Sequence, residues 1–393
     1  VKEKKLGDLC DFISGLWTGK KPPYIKVGVL RNTNFNKDGS LSFDDIAMLD
    51  VEIKQFKNRK LEHGDIILEK SGGGPKQPVG RVCLFDKKEG DFSLSNFTSA
   101  IRIKNRDEVH YRYLHYYLYF MYVSGETLKI QTNSTGIRNL QLALYKEFSV
   151  PLPSLATQQK IVDKLDAIFA EIDRATVATE TNINNAEALF QRYLADVFES
   201  GGDGWEKVQL PSLCTLFNGR AYNKDELLSA GKYTVLRVGN FFTSDRWYYS
   251  DLELDENKYC ENGDLLYAWS ASFGPKIWTG DKVIYHYHIW KVVPKNDVVD
   301  KHFLYYLLMW DVDKIKKDFG TGTTMVHVSK KSMESRVLPF VDLVTQKSIV
   351  RNINEVFDKS KTLKKSYEIK KKQLEIYKQS ILKQAFNGEL VKE

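Results

Sequence analysis

The second half of this chain repeats the first, and that repeat limits the possible folds more than any other feature of the sequence. Leu6-Gly-Asp-Leu-Cys10-Asp-Phe-Ile-Ser-Gly15 returns as Leu210-Pro-Ser-Leu-Cys214-Thr-Leu-Phe-Asn-Gly219, and Val29-Leu-Arg31-Asn-Thr-Asn34-Phe35 as Val235-Leu-Arg237-Val-Gly-Asn240-Phe241. Gly64-Asp65 matches Gly263-Asp264, and Tyr113-Leu114 with Tyr117-Leu118 match Phe303-Leu304 with Leu307-Leu308. The offset drifts at first and then locks at 188, pairing Val150-Pro151 with Leu338-Pro339, Thr157-Gln158 with Thr345-Gln346, Phe169 with Phe357 and Leu194 with Leu382. A locked offset means that no insertion is tolerated there, as expected of a continuous helix. A drifting offset is what loops of unequal length produce.

Each half therefore reads as a variable domain followed by one long helix. In the variable domains, short β-branched and aromatic runs (Asp65-Ile-Ile-Leu, Val79 to Phe85, Asp281 to Trp290) alternate with Gly, Pro, Asn and Asp clusters, the pattern of strands and turns. Tyr111 to Tyr122 and Lys301 to Trp310 carry apolar residues at helical spacing and are predicted to be one packed helix in each domain. Thr157–Glu199 and Thr345–Phe386 lack Pro and Gly and space their apolar residues for a helix, so each is predicted to extend for about 60 Å. The first carries a net −4 and the second +7, which favours their lying together as a coiled pair. The short linker Ser200 to Trp205 then requires the second helix to return antiparallel to the first. The predicted fold class is α+β: two similar mostly-β domains, residues 1–153 and 201–341, separated by two long antiparallel coiled-coil helices, 154–200 and 342–393, in a pseudo-two-fold tandem repeat.

Composition narrows the function. The 393 residues are 42% apolar and 28% charged, which excludes a disordered or collagen-like chain. The most aromatic run, Tyr111 to Val123, is interrupted by Arg112 and His115 and is too short to cross a membrane. Val1-Lys-Glu-Lys-Lys5 leads into no apolar segment, so a cytoplasmic location is expected. Four widely separated cysteines, Cys10, Cys83, Cys214 and Cys260, read as reduced thiols and not as a metal or redox set. The net charge of +7 permits a polyanionic partner without requiring one. Lys370-Lys371-Lys372 sits on the basic helix and reads as a solvated or helix-pairing face.

The order and duplication of these motifs resemble the specificity (S) subunit of type I DNA restriction-modification systems. In that family two target-recognition domains alternate with two helical regions. The helices open on a motif resembling Pro151-Leu-Pro153-Ser-Leu155-Ala-Thr-Gln158-Gln-Lys-Ile161-Val162. The second copy, from Leu338-Pro339 to Gln346 and Ile349-Val350, lacks the second proline. Gly320-Thr-Gly-Thr-Thr324 and, more loosely, Asn133-Ser-Thr-Gly136 resemble the family's Thr-Gly-rich stretch, and Ala385-Phe-Asn-Gly388-Glu-Leu390 its C-terminal ending. The resemblance implies a non-catalytic subunit that binds double-stranded DNA, each domain reading one half of a bipartite, asymmetric site. It also implies two adenine-methylating (M) subunits, which bring adenosylmethionine, and through them an ATP- and Mg²⁺-dependent translocating nuclease (R) subunit. No cofactor is expected on this chain.

Base reading calls for basic, amide and hydroxyl side chains on loops. In the first domain the candidates are Lys20, Lys21, Arg31, Lys70, Ser71, Lys76, Gln77, Asn133, Ser134 and Arg138. In the second they are Arg220, Arg237, Asn240, Trp269, Ser270, Lys276, Thr321, Thr323 and His327. Arg31 and Arg237 recur within matching predicted strands, so a shared structural salt bridge competes with DNA contact. The methylation subunits are expected to dock on the helix pair through Ile161, Leu165, Phe169, Leu189, Leu194, Ile349, Ile353, Phe357 and Leu382.

Catalytic readings find little support. Lys21-Pro-Pro-Tyr24 resembles the Asn/Asp-Pro-Pro-Tyr/Phe motif of amino-methyltransferases, but lysine has no acceptor for the target amine. Ser71-Gly-Gly-Gly lacks the Gly-Lys-Ser/Thr ending of a P-loop. Carboxylate–lysine sets such as Asp65, Glu69 and Lys70 arise readily by chance. His286 and His288, alternating with Tyr285 and Tyr287 on a predicted strand, share a face but have no evident third ligand, which favours core or DNA-facing roles over a metal site. The rival readings are a self-contained nuclease or methyltransferase with duplicated recognition domains, and a coiled-coil adaptor with no DNA role.

Overall fold

The computed structural model describes residues 2–16, 18–36, 38–74, 77–134, 136–270, 272–319 and 327–391. The chain forms two compact units. One comprises the residues up to Thr179 together with those from Ile369 onward, and the other comprises Glu180–Glu368.

The two units share a strand order. In the first, an antiparallel sheet runs Cys10–Ser14, Thr98–Ile103, Asp65–Glu69, Val82–Phe85. A second sheet places Tyr24–Leu30 between Ala47–Glu52, antiparallel, and Phe92–Leu94, parallel. In the second unit the corresponding sheets run Cys214–Asn218, Ile289–Pro294, Leu265–Ser270, Ser272–Ile277, and Tyr248–Ser250, Tyr233–Leu236, Val283–Tyr285, Tyr259–Cys260. Tyr233–Leu236 again has one antiparallel and one parallel neighbour. The fold is therefore α+β with two similar mostly-β domains in tandem. The first unit adds a small sheet of Ser71–Gly73, Ile137–Leu140 and Gln131–Ser134.

The repeated motifs serve the same physical purpose in both copies. Gly64 and Gly263 each adopt φ +91°, the left-handed conformation that favours glycine. The aspartate that follows closes the turn. Asp65 Oδ2 accepts from the Glu62 amide at 2.8 Å, and Asp264 Oδ2 from the Glu261 amide at 2.9 Å. Asp65 then pairs with Arg102 at 2.7 Å and Asp264 with Lys291 at 2.7 Å, each cation lying on the neighbouring strand.

The locked offset has a similar cause. Gln158 and Gln346 are completely buried. Gln158 accepts from the His110 amide at 2.9 Å and donates to the carbonyls of Glu108 and Pro153, both at 3.0 Å. Gln346 accepts from the Asp300 amide at 2.8 Å and donates to the carbonyls of Val298 and Val341. Each amide thus ties the first turn of a long helix to the loop leading into the packed helix, Tyr111–Val123 or Lys301–Phe319. A nonpolar residue there would leave three buried backbone groups unpaired, at roughly 1–3 kcal/mol each.

The long helices run Leu155–Ser200 and Leu343–Phe386 and pair antiparallel within each unit. In the first unit Ile161, Val162, Leu165, Phe169 and Ile172 pack with Ile381, Leu382 and Ala385. Lys164 there donates to the Leu390 carbonyl, while further along Asp173 meets Lys378 at 3.1 Å. In the second unit Ser360 donates to the Ala186 carbonyl, Glu187 pairs with Lys364, and the Phe190 and Phe357 rings lie 5.0 Å apart. These ion pairs, whose carboxylates are exposed, contribute at most about 1 kcal/mol each, so the apolar seam holds the helices together. Among the described residues no helix is long and apolar enough to cross a membrane. The four cysteines are buried and unbridged.

One predicted element differs. The run from Asp281 to Trp290 is not a single strand: Val283–Tyr285 and Ile289–Pro294 belong to different sheets, and a turn at Tyr287-His288 carries the chain between them. The alternation of His and Tyr marks this crossover.

Candidate nucleic-acid interface

In both units the chain makes the same crossover, and the backbone there is fixed by matching hydrogen bonds. The Ser95 amide donates to the Leu30 carbonyl and the His286 amide to the Leu236 carbonyl, both at 2.9 Å. The Lys70 amide donates to the Phe97 carbonyl at 3.0 Å, and the Trp269 amide to that of His288 at 3.1 Å. Ser71 lies opposite Asn139, and Ser270 opposite His327. A Cβ on Gly15 would come within 1.9 Å of the Ser95 oxygen, and one on Gly219 within 2.4 Å of the His286 oxygen, so close approach demands glycine at both.

A second anchor lies beside the first. Arg31 and Arg237 each follow the last residue of a strand, one position beyond the predicted in-strand placement. Asn34 then donates from its side chain to the Asp45 carbonyl at 2.9 Å, and Asn240 to the Arg246 carbonyl at 2.8 Å. The repeat thus brings six pairs of side chains to one rim in each unit: Arg31 and Arg237, Asp45 and Arg246, Ser95 and His286, Phe97 and His288, Lys70 and Trp269, Asn139 and His327.

The first rim is internally compensated. Arg31 pairs with Asp45 at 3.1 Å, the salt bridge the sequence left open. The Ser71 hydroxyl donates to Asn139 Oδ1. Lys70 is half-buried, and burial lowers its pKa. Arg138 donates to the Gly74 carbonyl at 3.1 Å. Asn133 and Gln77 are exposed, as are Lys20 and Lys21 in the loop before Tyr24–Leu30. Ser134 pairs through its backbone with Ile137. Lys76 lies outside the described residues.

The second rim is basic and aromatic. Arg237 and Arg246 both stand over the Tyr248 ring, at 5.2 and 5.3 Å. With Asn240, Ser244, His286 and His288 they line a cleft of about 350 Å³ that has no carboxylate in its wall. Burial, His288 and Arg237 push the His286 imidazole down to about 4, and burial and His327 lower His288. Trp269 stacks on Trp290, meets the His288 ring edge-on and donates to the Tyr287 carbonyl. Among the described residues no three His, Cys, Asp or Glu side chains are arranged to hold a metal ion.

Other candidates in this unit have partners or burial within it. Arg220 pairs with Glu226 at 2.6 Å, Lys276 donates to the Phe241 carbonyl at 2.8 Å, and Ser270 is buried. The Asn240 amide is taken up by its own loop. Thr321, Thr323 and the surrounding Gly320 to Thr324 stretch lie outside the described residues. Arg246, Ser244 and Tyr248 were missed in the sequence because the loops that follow Asn34 and Asn240 differ in length and do not align. The asparagine pair was the available signal.

The helix residues expected to meet a partner differ in exposure. Ile161, Leu165, Phe169, Leu194, Ile353 and Leu382 are buried by this chain's own packing, and Ile349 is half-buried against the second unit's core. Leu189 and Phe357 remain exposed, at 50% and 37%. Helical spacing identifies an apolar stripe without saying which part of it the chain itself covers.

Two tandem mostly-β domains, each with a divergent polar rim on a shared frame and each followed by a long helix, define a duplicated recognition protein. The family model for the type I restriction modification DNA specificity domain matches residues 1–185 and again 202–373, and the chain belongs to this family. It is similar to the StySPI specificity subunit of Salmonella potsdam, 23% identical over 394 residues that span 92% of this chain and 82% of that one. It is also similar to the MjaVIII specificity subunit of Methanocaldococcus jannaschii, 24% identical across 98% of this chain and 92% of that one. A chain solved in work on complex assembly and conformational transition of the type I R-M system has the same fold, with TM-score 0.79 and 18% identity, covering 99% of this chain and 98% of that one. The HsdS subunit from Thermoanaerobacter tengcongensis aligns with TM-score 0.59 and 18% identity, over 99% and 97%.

Proposed function

We propose that this specificity subunit reads a bipartite, asymmetric duplex-DNA site, one half with the rim around Arg31, Lys70 and Phe97 and the other with the rim around Arg237, Trp269 and His288. The observation that carries this reading is the pairing of a frame shared by the two units with unlike side chains at corresponding positions. Two copies of one backbone presenting different hydrogen-bonding and stacking groups are what two unlike half-sites require. Target-recognition domains are assigned to 1–153 and 201–341, and the long helices set the spacing between half-sites.

The subunit contributes geometry and no chemistry. Adenosylmethionine, ATP and Mg²⁺ belong to the methylation and nuclease subunits. Exposed apolar helix residues, Leu189 and Phe357 in one unit and Ile376 and Tyr377 in the other, supply docking surface for two methylation subunits. The test is duplex binding by the purified chain, alone and with its methylation subunit, across a salt series and in the presence of adenosylmethionine or Mg²⁺. Salt-dependent binding without turnover by the chain alone is expected. Methyl transfer or cleavage by the isolated chain would overturn the reading.

A further inference from the structure

The cleft beside Tyr248 is unlike its counterpart in the other unit in one chemical respect. Where the first unit sets Asp45 against Arg31, the second sets Arg246 beside Arg237 over one aromatic face. Where the first unit has Ser95 and Phe97, the second has two imidazoles with ring centroids 4.9 Å apart. The wall of the cleft is made of two guanidiniums, two imidazoles, an amide, a hydroxyl and a phenol ring, and nothing in it carries negative charge.

The groups packed around the histidines do not supply that charge. Tyr222 stacks on His286, and Arg220, bridged to His286 through the backbone, is already neutralised by Glu226. Tyr285, the residue before His286, donates its hydroxyl to the Asn257 carbonyl. His288 faces Trp269, Tyr287 and His327, none of them acidic. Asp245, next to Arg246, is exposed and does not line the cleft. Concentrated positive charge without a partner is costly unless an anion arrives.

We propose that this cleft seats a backbone phosphate of duplex DNA and that the seat is proton-linked: His286 and His288 take up protons as the phosphate docks, so the second reader grips DNA more tightly as pH falls. The inference rests on the DNA-recognition reading and deepens it. In the free protein burial lowers the pKa of both imidazoles, with His288 and Arg237 adding to the effect at His286 and His327 at His288, and the His288 amide donates to His286 Nδ1 at 3.4 Å. A phosphate within the cleft reverses the sign of the local field and raises both pKa values. Affinity must then increase as pH drops through the bound-state pKa values and level off near the free-state value of about 4 for His286. The first rim, with Arg31 compensated and no histidine at the matching positions, has no such dependence.

The test uses the full chain and a fluorescently labelled mixed-sequence duplex at constant ionic strength, since phosphate contacts do not depend on base sequence. Between pH 8 and pH 6 the wild-type affinity is expected to rise by about three- to tenfold, and a chain carrying His286→Gln and His288→Gln by less than about twofold. A chain carrying Arg237→Ala and Arg246→Ala should lose affinity at every pH and show a salt slope smaller by about one, the loss of one neutralised phosphate. Thermal unfolding of each variant checks its fold, and histidine-selective ¹³C NMR of the wild type should show two imidazoles, absent from the double-histidine variant, titrating higher with duplex present. Duplex binding with wild-type pH dependence in the histidine variant and an unaltered salt slope in the arginine variant would overturn the phosphate seat and leave DNA recognition standing. Failure to bind duplex at any pH, with or without the methylation subunit, would overturn both.

Discussion

The two rims show how one backbone is given two chemistries. Asn34 and Asn240 hold their loops by the same amide-to-carbonyl bond, yet the residue held is Asp45 in one unit and Arg246 in the other. That exchange turns a neutral Arg–Asp pair into two cations over a tyrosine. The crossover behaves alike, with Ser95 and Phe97 becoming His286 and His288 on a backbone that keeps its hydrogen bonds. The frame is under steric and hydrogen-bonding constraint, and the rim side chains are not. The two copies differ most in the rim side chains and least in the backbone that carries them.

The comparison is sharpened first at the frame, where the largest effects are expected. Each unit contains a deeply buried arginine–carboxylate pair of this kind: Glu69 with Arg81 at 2.7 Å in the first, Asp311 with Arg336 at 2.5 Å in the second. Replacing either arginine with alanine strands a carboxylate that is almost fully enclosed, and should cost about 3–5 kcal/mol in urea unfolding. Arg81→Ala and Arg336→Ala are expected to act with similar magnitude, each on its own unit. A loss below about 1 kcal/mol in either would break the claim that the frames are equally constrained.

A smaller effect is expected at the rim. Asp45→Arg should release Arg31 and strengthen duplex binding, whereas Arg246→Asp should place a carboxylate against Arg237 and weaken it, each by up to about tenfold at low salt and with slope changes of opposite sign. Unfolding midpoints should hardly move, because both residues are exposed. Equal slopes in the two variants would remove the contrast between the rims.

The frame was largely legible in the sequence because it depends on short-range chemistry. Gly64-Asp65 and Gly263-Asp264 announce a turn, Gln158 and Gln346 stand at a fixed place in the locked repeat, and the long helices end within two residues of the predicted limits at Thr157–Glu199 and Thr345–Phe386. The rim was legible only in part. Arg31, Lys70, Arg237, Trp269 and His327 could be found through the repeat, but Arg246 sits in a loop of unmatched length. Lys276 and Arg220 read as exposed cations although a carbonyl and a carboxylate already hold them. The crossover at His286 reads as a strand in the sequence because β-like composition does not reveal that the chain changes sheets.

The most direct measurement of the central claim is single-molecule methylation sequencing of a host carrying the complete system, with either the wild-type gene or one encoding Trp269→Ala and His327→Ala. The wild type should methylate a two-part motif, and the variant should relax or change one part while the other part and the spacing between them stay the same. A motif unaltered in both parts, or one degraded equally in both, would contradict the assignment of one half-site to each reader.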